Sequence, residues 1–141
     1  MEKPSFVFVT YINTSAEKLW DALTNPEFTK QYWGGRRIES DWKVGAPVRF
    51  VDAKGQSGKP GEILAFEPPK LLSYTWGSTS PSHVTFKLEP YGTIMRLTVT
   101  HEGLEPGTPE TQMTQQGWFA IMSSLKSLLE TGKALTYPWK G

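Results

Sequence analysis

"HVTFKLEPYGTIMRLTVTHE", residues 83–102, carries two alternating apolar runs on either side of a turn. Val84, Phe86 and Leu88 fall on one face of the first run, and Met95, Leu97 and Val99 on one face of the second. Successive side chains of a strand point to opposite faces, so each run reads as a strand with one buried side. The connector is too short for a parallel crossover, which makes the pair an antiparallel hairpin. A four-residue loop at Pro90–Thr93 sets Val84 against Val99, Phe86 against Leu97 and Leu88 against Met95. All three pairs are apolar, while Lys87 and Arg96 meet on the other face, as a sound register requires.

Upstream of the hairpin the period of two continues. "RRIESDW", "APVRFVD", "GKPGEILAFE" and "KLLSYTWG" read as strands, with "KVG", "AKGQSG", "PP" and "STSPS" supplying turn chemistry between them. Phe6 to Ile12 in "SFVFVTYI" is one more strand. Between it and the rest lie two short helices. Thr14 opens "TSAE", a Thr-x-x-Glu capping box, and Ala16, Leu19, Trp20 and Leu23 then recur at helical spacing. Asn25-Pro26 ends this helix and starts the next, which Gly34-Gly35 must terminate. Downstream, "TPETQMTQQGWFAIMSSLKSLLETG" is one long helix capped by Thr108, begun by Pro109 and closed by Gly132. Its stripe is Trp118, Ile121, Met122, Leu125, Leu128 and Leu129. The order of strand, two short helices, six strands and a long helix predicts an α+β fold.

A chain of 141 residues is most simply one domain, residues 1–141, with a core that needs no staples. The absence of cysteine excludes disulfides and thiol chemistry and suits a reducing compartment. The opening "MEKPSFVFVTYINTS" lacks the pattern of a signal peptide, and no stretch approaches the ~20 apolar residues of a membrane span. A cytoplasmic location is therefore expected. A formal charge of +1, with only Arg36 and Arg37 adjacent among the basic residues, makes no case for nucleic acid. Aromatic residues are abundant, with six Trp, five Tyr and seven Phe. Such side chains either line ligand pockets or fill a core.

Reactive motifs are scarce. The register above sets His83 against Thr100, so His83 and His101 point to opposite faces and cannot share a zinc. His101 shares the inner face with Met95, Leu97 and Val99, where it would orient a polar ligand group, act as a general base, or bond to backbone. "AKGQSGKPGE" fails as a phosphate loop, because Ala53 and Pro60 replace its glycine and hydroxyl residue and a strand follows. The serines of "GQSGK" and "GSTSP" lack a strand-to-helix elbow. Glu62, Glu67, Glu102 and Glu105 form no arguable pair. No catalytic residue beyond the candidate His101, no metal and no cofactor are expected.

The chain resembles the START-like, birch-pollen-allergen-like superfamily with the helix-grip fold. Within it, the chain is similar to the bacterial single-domain group related to the C-terminal domain of the activator of the heat-shock-protein-90 ATPase. "SAEKLWDALTNPEFTKQYW", "SDWKVGAPVRF", "GKPGEILAFEPPKLLSYTW", "TIMRLTVTHEGL" and "GWFAIMSSLKSLLETG", in that order, carry the resemblance over nearly the whole chain. In "VGAP", Ala46 stands where members usually have a second glycine. The resemblance implies a curved antiparallel sheet of six to seven strands wrapped around the long helix, with a cavity between them. It implies no reaction.

Such a cavity would be lined by Leu72, Tyr74 and Trp76 from one strand, Phe86, Met95 and His101 from the hairpin, and Trp118 and Met122 from the helix. The family fold also places "QYWGG" at the cavity mouth. There Tyr32 and Trp33 either gate the opening or form a plain helix stop with Trp33 packed inside. Binding of a hydrophobic or aromatic small molecule is the leading expectation. A cyclase- or hydrolase-type enzyme using His101 or a tyrosine comes second, and a protein-interaction module third. A homodimer would cover the aromatics of the "TYPWK" tail.

Overall fold

The computed structural model of the protein describes residues 5–58, 60–76, 82–103 and 109–135. Strand β1 (Phe6–Ile12) leads into helices α1 (Ala16–Thr24) and α2 (Pro26–Tyr32). Six strands follow: β2 (Arg37–Ser40), β3 (Pro47–Val51), β4 (Gly61–Glu67), β5 (Leu71–Trp76), β6 (Ser82–Tyr91) and β7 (Ile94–Glu102). Helix α3 (Pro109–Thr131) completes the order expected from the sequence. The cap expected at Thr108, the carboxylate of Glu105, the "GSTSP" serines and the tail aromatics lie outside the described residues.

All seven strands form one antiparallel sheet in the order β1-β7-β6-β5-β4-β3-β2. Its inner face supplies Ile38, Val48, Ile63, Leu72, Tyr74, Val84, Phe86, Leu97 and Val99 to the core. From α3 come Trp118, Ile121, Met122, Leu125 and Leu128, so the long helix covers the apolar side of the sheet in the helix-grip α+β arrangement. At the β1 edge, Phe119 of α3 meets Phe6 and Phe8 edge-on, with ring centroids 5.7 and 5.4 Å apart. Further along, Lys126 Nζ donates to the Tyr11 carbonyl at 2.6 Å and Asn13 N–H to Glu130 Oε2 at 2.8 Å.

The hairpin that decides the fold is tighter than its sequence suggests. Val84 pairs with His101, Phe86 with Val99, Leu88 with Leu97 and Pro90 with Met95, and Tyr91–Ile94 is the last pair before a turn at Gly92 and Thr93. Gly92 takes φ +64°, a left-handed conformation that glycine adopts without strain. The register is shifted by two residues from the expected one. An even shift preserves the faces, so the apolar set stays inward. Pro90 is tolerated inside β6 for a geometric reason. Leu88 N–H donates to the Lys70 carbonyl, so Pro90, two residues on, directs its missing donor to the same side, beyond the start of β5 at Leu71. Opposite Glu102, rather than Thr100, His83 lies 3.5 Å from the Glu102 carboxylate, and Arg96 meets Glu89 at 3.3 Å instead of facing Lys87.

The first helix starts one residue later than the Thr14 capping box implies. Ser15 is the extended N-cap, and its Oγ accepts from Lys18 N–H at 3.2 Å. With lysine at that third position, the reciprocal half of a capping box is missing. Asn25 both ends α1 and caps α2, accepting from Glu27 N–H at 3.0 Å ahead of Pro26. Gly34 and Gly35, at φ +60° and +84°, turn the chain out of α2. In β4 an extra residue at Leu64 shifts the pairing from Ile63–Tyr74 to Ala65–Ser73. This bulge switches the inward set from Ile63 to Phe66 and bends the strand. A Cβ on Gly61 would penetrate the Thr75 carbonyl oxygen, so only glycine lets β4 and β5 approach there.

Candidate functional site

Between the sheet and α3 the aromatic side chains form a closed circuit. Trp33, just after α2, meets Phe50 of β3 at 5.7 Å between centroids. Phe50 meets Tyr74 of β5 at 6.0 Å, and Tyr74 meets Phe86 of β6 at 5.8 Å. Phe86 meets Trp118 of α3 at 5.9 Å, and Trp118 returns to Trp33 at 5.5 Å. Most of these contacts are edge-to-face, the geometry that ring quadrupoles favour. Period-two alternation brings Tyr74 and Phe86 inward, helical spacing brings Trp118, and the Gly34-Gly35 turn holds Trp33 at the end of α2.

Tyr32, Trp33, Leu72, Tyr74, Phe86, Met95, His101, Trp118 and Met122 are all buried in this interior. The backbone of Trp76 stands opposite Ser82, and its side chain lies outside the described residues. At "QYWGG", α2 ends at Tyr32 and both aromatic side chains pack inside. Trp33 is 1% exposed, and the Tyr32 hydroxyl donates to the Ala22 carbonyl at 2.7 Å. Two participants escaped the sequence reading. Phe50 closes the circuit and shares a face with Val48, a spacing that could have revealed it. Ser82 matters only through a contact that the sequence does not encode locally.

That contact belongs to His101. Its Nε2 lies 2.7 Å from Ser82 Oγ, and its Nδ1 accepts the Trp118 indole N–H at 3.0 Å. Indole nitrogen only donates, so Nδ1 carries no proton and neutral His101 is the Nε2–H tautomer, donating to Ser82. Both of these partners are side chains on other elements. Burial, reinforced by the nearby charge of His83, pushes the imidazole down to about 4. At neutral pH His101 is an uncharged spacer between a serine and an indole. Among the described residues, no three His, Asp or Glu side chains gather as a metal site would require.

The profile of the Activator of Hsp90 ATPase homolog 1-like proteins matches residues 13–130. The chain belongs to this family. Solved structures share its fold. Protein MLL2253 from Mesorhizobium loti is 29% identical, with a TM-score of 0.78 over 89% of this chain and 96% of that one. The Aha1 of Colwellia psychrerythraea, solved in solution as a dimer, is 22% identical, with a TM-score of 0.80 over 94% of this chain and 100% of that one. CalU16 from Micromonospora echinospora is 20% identical, with a TM-score of 0.71 over 88% of this chain and 73% of that one. No curated protein matches the chain significantly. As in these Aha1-like folds, the long helix lies against one face of the antiparallel sheet. No helix among the described residues is long and apolar enough to cross a membrane.

Proposed function

We propose that the protein binds an apolar or aromatic small molecule between the inner face of the sheet and α3, without a cofactor and in the cytoplasm. The observation carrying this reading is the circuit of Trp33, Phe50, Tyr74, Phe86 and Trp118, drawn from five separate elements and bordered by the His101–Ser82 pair. Aromatic walls with a few polar groups are the composition of small-molecule sites. Membership of an Aha1-like family supports a ligand-binding or cyclase-like domain. Binding is favoured over catalysis by the state of His101. Its Nε2 already holds a proton in the neutral form and cannot take one from Ser82, and a base with so low a pKa is a weak one at neutral pH. A thermal-shift screen of apolar and aromatic compounds tests the reading. A ligand at about 100 times its Kd adds roughly 2.7 kcal/mol, a rise of several degrees in Tm. No shift across such a library would count against the site.

A homodimer is the proposed assembly, because the Colwellia relative was solved as one. Light scattering should then give twice the chain mass of 15.8 kDa, and a monomeric mass would refute it.

A further inference from the structure

Tyr32 and Tyr74 are both buried phenols, yet their hydroxyls differ. Tyr32 donates to a helix carbonyl at 2.7 Å, whereas the Tyr74 hydroxyl bonds to no described residue and, although the side chain is 1% exposed, is not among the fully enclosed polar atoms. Tyr74 sits on the inner face of β5, paired with Ile63 on one side and Val84 on the other, its ring between those of Phe50 and Phe86. None of these neighbours offers a side-chain acceptor. The hydroxyl thus borders a small accessible space inside an apolar surround, where a water or a ligand atom can accept its hydrogen bond.

We propose that Tyr74 is the polar anchor of the site and that its ligand is an uncharged apolar molecule bearing an acceptor oxygen, a carbonyl or a hydroxyl. This rests on the small-molecule reading above and specifies its chemistry. The acceptor follows from the phenol, which burial holds protonated by pushing its pKa well above the usual tyrosine range, leaving an O–H to donate. The absence of charge follows from the surroundings. Among the described residues no Asp, Glu, Lys or Arg is buried, and the interior histidine is neutral. A carboxylate or ammonium would enter without a counter-charge, an expensive transfer.

The test compares naphthalene, 2-acetylnaphthalene and 2-naphthoate as probes, titrated at pH 7 into the full chain and into Tyr74→Phe. The intact chain should prefer the ketone to naphthalene by about tenfold, and Tyr74→Phe should reduce that preference to about twofold or less. The naphthoate should bind most weakly to both. Without ligand, Tyr74→Phe should melt at or above the parent Tm, since it removes a hydroxyl to which no described residue bonds. Naphthoate binding as tightly as the ketone, a ketone preference that survives in Tyr74→Phe, or a lower Tm would each overturn the anchor while leaving the pocket standing. Failure of all three probes to bind either protein would overturn both.

Discussion

Trp118→Ala is expected to lower the unfolding free energy by about 5 kcal/mol, measured by urea or thermal denaturation. Trp118 touches Trp33, Phe86 and His101, is fully buried, and joins α3 to both the sheet and the end of α2. Truncating a buried tryptophan costs about 3–5 kcal/mol through lost contacts and the space left behind. Removing the indole N–H also strips His101 Nδ1 of its donor, adding about 1 kcal/mol or more. For a chain of this size the sum corresponds to a fall in Tm of roughly 15 °C. Trp118→Phe should retain most of the packing and cost about half as much. Phe119→Ala, one residue along but 51% exposed, should cost under about 1.5 kcal/mol. Equal losses at positions 118 and 119 would contradict the assignment of the core face of α3.

Acid should weaken the fold before its carboxylates titrate. His101 has an ordinary pKa of 6.5, and burial in the fold pushes it down to about 4. Between those values the unfolded chain takes up a proton that the folded chain does not. Stability therefore falls as pH drops from 6.5 towards 4 and levels off with respect to this group below that. The window is worth up to about 3.5 kcal/mol, at about 1.4 kcal/mol per unit over the 2.5 units between 6.5 and 4. Glu27, Asp52 and Glu130 also have lowered pKa values, owing to bonds from the Lys30 side chain, the Gln56 backbone and the Lys126 side chain respectively. Their contribution is lost only at more acidic pH, below the ordinary carboxylate value. His101→Gln should flatten the stability profile between pH 6.5 and 4 while lowering stability at pH 8, and an unchanged slope would show that another group carries it.

The fold was legible because period two and period 3.6 survive small errors of register. Pro90 looked like part of a turn, which displaced the expected pairing by two residues. Since side chains alternate, Val84, Phe86, Leu97 and Val99 still faced inward. Thr14 and Ser15 are both competent caps, and only the backbone, extended at Ser15, decides between them. The bulge at Leu64 gave no glycine or proline signal, so the inward turn of Phe66 was invisible. The site was harder to read. Aromatic residues on buried faces could be named, but the circuit depends on Trp33 and Phe50 approaching from elements far apart in sequence. The His101–Ser82 and His101–Trp118 bonds bridge β7 to β6 and α3 across separations of 19 and 17 residues, and fixed tautomers arise only from such contacts. That no described residue bonds the Tyr74 hydroxyl is likewise a property of the packed interior.

The central claim is that this interior takes an apolar small molecule, and native mass spectrometry of protein purified without delipidation tests it most directly. A stoichiometric adduct that releases an uncharged apolar or aromatic compound on denaturation is the predicted result. A clean mass of the chain alone, together with no adduct after incubation with a mixed library of such compounds, would contradict it.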